Sequence, residues 1–268
     1  MKIFEWNIGM AATIPSNQGY NLNGWIIDEI IKDEPDCIVL TEFVVSRGVE
    51  YFFEKLEKNN YHWFISSSTK MNGILIALKE TTFDFRDTFD YMSTSIINSN
   101  EVLSGSDLPD FYEIQVKWEG QLLSIIGIRI KIDISGKKLS FKMNQFKALD
   151  DYLSKITHNV ICVGDFNAYW SGCWSSNNNI TLPQTALNNY TLHTPAYNID
   201  NGYSFVQPNG KKTQLDHLIT NIKDKNIVAN YDWSFINTLR YKIGISADTI
   251  NKTKGLPDHA ILKVEIND

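Results

Sequence analysis

Residues 160–170 read VICVGDFNAYW: four apolar positions and a glycine, then Asp165 and Asn167 on either side of Phe166. A short apolar run closing on Gly reads as a buried strand. An acid and an amide at the very end of such a strand are poor choices for a core. In layered α/β architectures, however, strand ends and the loops after them are where ligands bind.

Upstream of this strand, SFKMNQFKALDDYLSK (140–155) sets Phe146, Leu149 and Leu153 at helical spacing behind Ser140 as N-cap. At the start of the chain, KIFEWNI (2–8) alternates Phe4, Trp6 and Ile8 with Ile3, Glu5 and Asn7, which predicts a first strand with Asn7 at its C-terminal end. NGWIIDEIIKDEPD (23–36) places Ile26, Ile27, Ile30 and Ile31 on one helical stripe and stops before Pro35; CIVLTE (37–42) is then a short buried strand ending in Glu42. Strand, helix, strand is a βαβ unit, whose sheet is parallel and covered.

A second helix over 48–60 leads to strands at 61–66, 73–79, 111–118 and 122–132, the last two joined as a hairpin by the turn-like EGQ. Beyond Asn167 an Asn-rich stretch, SSNNNIT (175–181), reads as part of a long surface loop, and further strands fall at 202–207, 213–221, 226–233 and 260–266. There is no internal repeat and no interdomain linker, so residues 1–268 read as a single domain.

Composition bounds the function. The 268 residues are 43% hydrophobic, enough for a sizeable core. No run approaches the roughly 18 apolar residues that span a bilayer, and MKIFEWNIGM has a lysine without the apolar stretch of a secretory signal, so the expectation is a soluble, cytoplasmic monomer. Cys37, Cys162 and Cys173 are too few and too scattered for a disulfide framework or a zinc site. A formal charge of −6 and a pI near 5.4 argue against a broad basic face for gripping nucleic acid. A local basic rim or a bound metal can still supply positive charge to a nucleic-acid enzyme.

The acids and amides recur at strand ends. Asn7, Glu42, and Asp165 with Asn167 each follow a separate apolar strand; Asp216 lies in QLDHLI, and Asp258 with His259 precedes the final strand. Five such arrivals suggest one site. In order along the chain, EWNI, LTEF, GDFNA, LDHLI and PDHAIL resemble the motifs of the endonuclease/exonuclease/phosphatase superfamily, which includes deoxyribonuclease I and the exonuclease III-like abasic endonucleases. One GDFN would be weak evidence, whereas five motifs in order over the full chain are strong. The resemblance implies an α/β (α+β) four-layer sandwich, two mixed β-sheets packed face to face with helices outside, and a Mg²⁺-dependent hydrolase of phosphoesters.

The residue types suit that chemistry independently. A phosphodiester repels its nucleophile, so its hydrolysis needs positive charge on the phosphate and an activated water in line. Hard Mg²⁺, or Mn²⁺ in its place, prefers carboxylate and amide oxygens. Glu42 is the first candidate ligand with Asn7 beside it, and Asp258 is a second, weaker metal position. Asp165 would take the proton of the attacking water, and Asn167 would hold that water or donate to the phosphoryl oxygen. His259 would contact the scissile phosphate, oriented by a carboxylate on its other ring nitrogen; the resemblance assigns that carboxylate to Asp216. Taken singly, Asn7 could be a turn former, Glu42 a helix-capping acid, and Asp165 with Asn167 an Asx turn. His217 alternates to the opposite strand face and reads as packing or surface, and His62, His158 and His193 lie outside the motifs. Tyr169, Trp170 and Trp174 serve equally well as base-stacking or loop-anchoring aromatics.

Three positions depart from the family pattern. Arg129, in IIGIRI, stands where the family has His or Tyr; it reads as a guanidinium fork for phosphate or else as a solvated strand residue, and in neither case can it transfer a proton. Gly9 replaces an acid found after WN in some abasic endonucleases, and Pro257 replaces the Ser before DH. Arg240, Lys242, Lys252 and Lys254, just before Asp258, form a candidate basic rim for a polyanion. The reading is therefore a nuclease acting on DNA, with a phosphodiesterase or phosphatase for a lipid headgroup or inositol phosphate as the alternative, and a catalytically impaired binding module behind both.

Overall fold

The computed structural model describes residues 1–9, 13–16, 19–22, 24–45, 48–66, 72–85, 108–132, 138–168, 189–196, 202–207, 210–237 and 257–268. One sheet holds β1 (Lys2–Asn7), β4 (Cys37–Phe43), β5 (Tyr61–Ile65), β6 (Gly73–Lys79), β14 (Asn226–Asp232) and β15 (Ile261–Asn267), in the order β14-β15-β1-β4-β6-β5. The other holds β7 (Asp110–Trp118), β8 (Gln121–Arg129), β9 (Asn159–Asp165), β10 (Thr191–His193) and β13 (Asp216–Thr220), in the order β10-β13-β9-β8-β7. Each sheet is mixed. Among the described strands, β1 with β4 runs parallel, as the βαβ reading requires, and so does β8 with β9; the other pairs are antiparallel. Two small ribbons complete the strands: β2 (Thr13–Ser16) with β3 (Gly19–Leu22), and β11 (Phe205–Val206) with β12 (Lys212–Thr213).

The sheets pack face to face. Ile3, Val39 and Ile76 from the first sheet share one buried cluster with Ile114, Ile125, Ile161, Val163 and Leu218 from the second. The approach is close enough that a methyl group on Gly127 of β8 would stand 2.5 Å from Ile74 Cγ2 and 3.0 Å from Val39 Cγ1. Helices cover the outer faces. α1 (Trp25–Ile31) buries Ile26, Ile27 and Ile30 beside Trp6, and α2 (Val49–Lys58) buries Phe52 against Phe43. α3 (Lys138–Leu153) lays Phe146, Leu149 and Leu153 on Phe111, Ile126, Ile128 and Cys162 of the second sheet. The layer order is helix, sheet, sheet, helix, as the motifs implied. Among the described residues, no helix is long and apolar enough to cross a membrane.

The hairpin between β7 and β8 turns on Glu119 and Gly120, both at positive φ (49° and 74°), the two-residue turn whose twist matches its strands. Some element limits differ from the sequence reading. α3 begins at Lys138, which puts Ser140 inside the first turn rather than at the cap. β4 runs through Glu42 to Phe43 with a register shift after Leu40. The ribbon β2–β3 occupies what reads as an irregular loop. Cys37 and Cys162 are buried free thiols, and Cys173 lies outside the described residues.

Candidate active site

Strand directions bring the scattered polar residues to one edge of the sandwich. Asn7 closes β1, Glu42 nearly closes β4, Arg129 closes β8, Asp165 closes β9, and Asp216 opens the antiparallel β13 directly opposite Asp165. Asp165 also pairs in register with Arg129, and Arg129 with Asp110 at the start of β7. The chain reaches Asp258 and His259 just before β15, which lies beside β1.

Asp165 is held from three sides. Asn7 donates through Nδ2 to its Oδ2 at 2.9 Å; Asn167 donates through its backbone N–H to Oδ1 at 2.7 Å and through Nδ2 to Oδ2 at 2.9 Å. This cage needs unusual backbone. Gly164 has φ 155°, and a Cβ there would lie 1.9 Å from the Ile128 carbonyl oxygen, so only glycine fits. Asn167 itself sits at φ 46°, a left-handed conformation that Asn tolerates better than most residues. Lys142, from α3, donates to the Asn167 carbonyl. Both amide hydrogens of Asn167 are committed, the second to the Ile130 carbonyl at 2.8 Å, so its side-chain oxygen is the group left to hold a water. Burial pushes the Asp165 carboxyl up to about 7, with Asp216 adding to the rise while His259 and Arg129 hold it down.

His259 pairs with Asp216, Nδ1 to Oδ2, at 2.8 Å, the pairing the motif order implied. Burial opposes charge on the ring, but the Asp216 carboxylate, with Asp165 and Asp258 behind it, raises His259 to about 10, so the imidazolium persists at neutral pH and Nδ1–H donates. The pair is fixed in turn by neighbours. Ser204 Oγ accepts the backbone N–H groups of Leu215 and Asp216, Tyr231 donates to the Asp216 carbonyl at 2.6 Å, and Trp6 Nε1 donates to the His259 carbonyl at 2.9 Å. The Phe205 ring lies 4.8 Å from the imidazole.

Glu42 Oε1 accepts Arg129 Nε at 2.7 Å and lies 3.5 Å from Asn7 Nδ2. Its backbone is left-handed at φ 54°. Arg129 NH1 donates to Asp110 Oδ2 at 3.1 Å, and Asp110 Oδ1 is 3.3 Å from Lys131 Nζ. Burial pushes Asp258 up, opposed by His259 and reinforced by Glu42. The described residues contain no ready-made cluster of three or more His, Cys, Asp or Glu around a metal position. Two nitrogens, Arg129 Nε and Asn7 Nδ2, face Glu42 Oε1, and Asn7 Oδ1 accepts the Gly9 N–H, but among the described residues Glu42 Oε2 receives no hydrogen bond. One free carboxylate oxygen fits a single hard cation that keeps most of its waters.

Four contributors have no motif to mark them. Asp110, Lys142 and Ser204 are recognisable only once the strands are paired. Glu5 is fully buried on the face between the sheets, with Thr41 Oγ1 3.5 Å from its Oε1 and no hydrogen-bonding partner for its Oε2 among the described residues. Burial, with Asp216 and Asp165 nearby, raises its carboxyl well above the ordinary range. His217 packs beside the site, bonded to Thr194 and the Ala168 carbonyl, and His158 bonds Ser124. Tyr169, Trp170, Trp174 and the four basic residues at 240–254 lie outside the described residues.

Neither a protein-family model nor a curated protein sequence matches the chain. Solved structures do. An AP endonuclease from Archaeoglobus fulgidus aligns over 100% of both chains with TM-score 0.62 and 14% identity. TDP2 from D. rerio, in complex with a single-strand DNA product, aligns over 100% of this chain and 99% of its own with TM-score 0.62 and 13% identity. An endonuclease/exonuclease/phosphatase family protein from Leptotrichia buccalis aligns over 100% of both chains with TM-score 0.58 and 19% identity. The chain has the deoxyribonuclease I-like fold.

Proposed function

We propose that residues 1–268 form one catalytic domain, a monomeric phosphoester hydrolase that cleaves phosphodiester bonds of DNA. The observation that carries this reading is the juxtaposition of a caged, weakly acidic Asp165 with a charged His259 locked by Asp216. A carboxyl near neutral is matched to taking a proton from water, since a general base works best close to the operating pH. The Asn167 side-chain oxygen can orient that water. His259 brings a standing positive charge for the phosphoryl oxygens as their charge grows. Arg129 keeps N–H groups beyond the two that hold Glu42 and Asp110, and these can contact the phosphate. A Mg²⁺ ion held by Glu42, with Asn7 and Asp258 at its side, would add Lewis-acid charge at the phosphate.

DNA is favoured as substrate by the fold shared with an AP endonuclease and with TDP2 bound to a single-strand DNA product. The net charge of −6 favours a second reading, a non-nucleic phosphodiester or phosphate monoester. Purified protein incubated with plasmid DNA, bis-p-nitrophenyl phosphate and inositol phosphates, with Mg²⁺ or with chelator, separates them. Chelator-sensitive cleavage of DNA supports the first reading; turnover of inositol phosphates alone supports the second; no hydrolysis of any substrate overturns both.

A further inference from the structure

Arg129, proposed above to contact the phosphate, has carboxylate partners of its own. Arg129 ties together carboxylates from both sheets: Glu42 of β4 at 2.7 Å through Nε, and Asp110 of β7 at 3.1 Å through NH1. All three side chains are largely buried, at 14%, 19% and 15% exposure, where ion pairs are poorly screened. Lys131 balances the second oxygen of Asp110. Positive charge is therefore already seated on one oxygen of the carboxylate that would hold a divalent cation. Gly9 brings no negative charge to this end of β1; its N–H donates to Asn7 Oδ1 at 2.9 Å.

We infer that Arg129 is a resident cation at Glu42, a positioning residue that holds this carboxylate in its left-handed backbone conformation and competes with the divalent ion for it. The inference rests on the reading of Glu42 as the metal carboxylate. Two consequences follow from electrostatics. A divalent ion at Glu42 meets a like charge across the same carboxylate, so metal affinity is held low. Neutralising Arg129 removes that repulsion, and one opposing charge near a carboxylate is commonly worth a factor of ten or more in its affinity for a cation or proton.

The test is direct Mn²⁺ binding, followed by the electron paramagnetic resonance signal of free Mn²⁺, with circular dichroism as a check on folding. Arg129→Gln keeps hydrogen-bonding groups for both carboxylates without the charge, and is expected to bind Mn²⁺ at least about tenfold more tightly than wild type. Arg129→Lys, which keeps the charge, is expected to stay within about threefold of wild type. Glu42→Gln is expected to abolish the site in either background. Unchanged or weaker binding by Arg129→Gln, with Glu42→Gln still abolishing it, overturns the inference and leaves the metal reading of Glu42 standing. Unchanged binding by Glu42→Gln removes the metal reading itself, and the inference with it. In the unmodified protein, the Arg129 Nε–Hε resonance is expected to shift along a Mg²⁺ titration with the midpoint of binding; a resonance that stays fixed at saturating Mg²⁺ overturns the inference without any variant.

Discussion

Asp165 has both of its oxygens in hydrogen bonds, from Asn7 and from Asn167 twice, yet its carboxyl remains near 7 because burial outweighs them. That balance suits proton transfer, and Asp165→Asn is expected to slow hydrolysis by roughly 100-fold or more with the fold intact. A variant of near wild-type rate would move the base elsewhere. Glu5 shows the opposite kind of acid, one that the site tolerates rather than uses. It ionises in the unfolded chain near about 4.3, while burial and two neighbouring carboxylates raise its value in the fold. Such a group contributes its stability below the unfolded value and loses it as pH climbs towards the folded one. Glu5→Gln, neutral at every pH, is therefore expected to raise the thermal midpoint at pH 7.5 and to leave it unchanged at pH 4. An unchanged midpoint at both pH values would show that ionised Glu5 costs the fold nothing, and a lower one at pH 7.5 that its charged form is stabilised.

At the scale of elements, the ends of the strands matter more than their middles. Gly164 is the residue on which the Asp165 turn depends, because a methyl group there would collide with the Ile128 carbonyl at 1.9 Å. Gly164→Ala is expected to cost at least about 2 kcal/mol and to lower the thermal midpoint by several degrees. Retention of the wild-type midpoint would show that the turn can re-form around a side chain. The strands that build the site were legible because they alternate or run apolar for four or more residues beside a marked polar residue. β11 lies inside the strand read at 202–207 but is only two residues long, and β2 and β3, of four residues each, are too short for a period to show. The site was legible where a motif carries it: Asn7, Glu42, Asp165, Asn167, Asp216 and His259 all reach one edge. Asp110 and Lys142 were not, since an ordinary acid at a strand start and a lysine on a helix become site residues only through pairing of β7 with β8 and packing of α3 on β9. Glu5 carried a faint signal, because an acid in a parallel strand covered on both faces has no route to solvent.

For the whole molecule, two sheets packed through one core fix the relative placement of residues far apart in the chain, such as Asn7 of one sheet and Asp165 of the other, joined at 2.9 Å. Gly127 sets how closely the sheets approach, and Gly127→Val is expected to overpack the interface by about 1–3 kcal/mol, lowering the thermal midpoint and also the rate, since the two halves of the site ride on different sheets. A midpoint and rate equal to wild type would show that Ile74 and Val39 can give way. The central claim, that this edge of the sandwich hydrolyses phosphodiesters through Asp165 and His259, is tested most directly by initial rates of plasmid cleavage for wild type, Asp165→Asn and His259→Gln, each with Mg²⁺ and with chelator. The expected result is cleavage by wild type that chelator abolishes, falling roughly 100-fold or more in each variant while the circular dichroism spectrum is unchanged. Cleavage undiminished in both variants would contradict it.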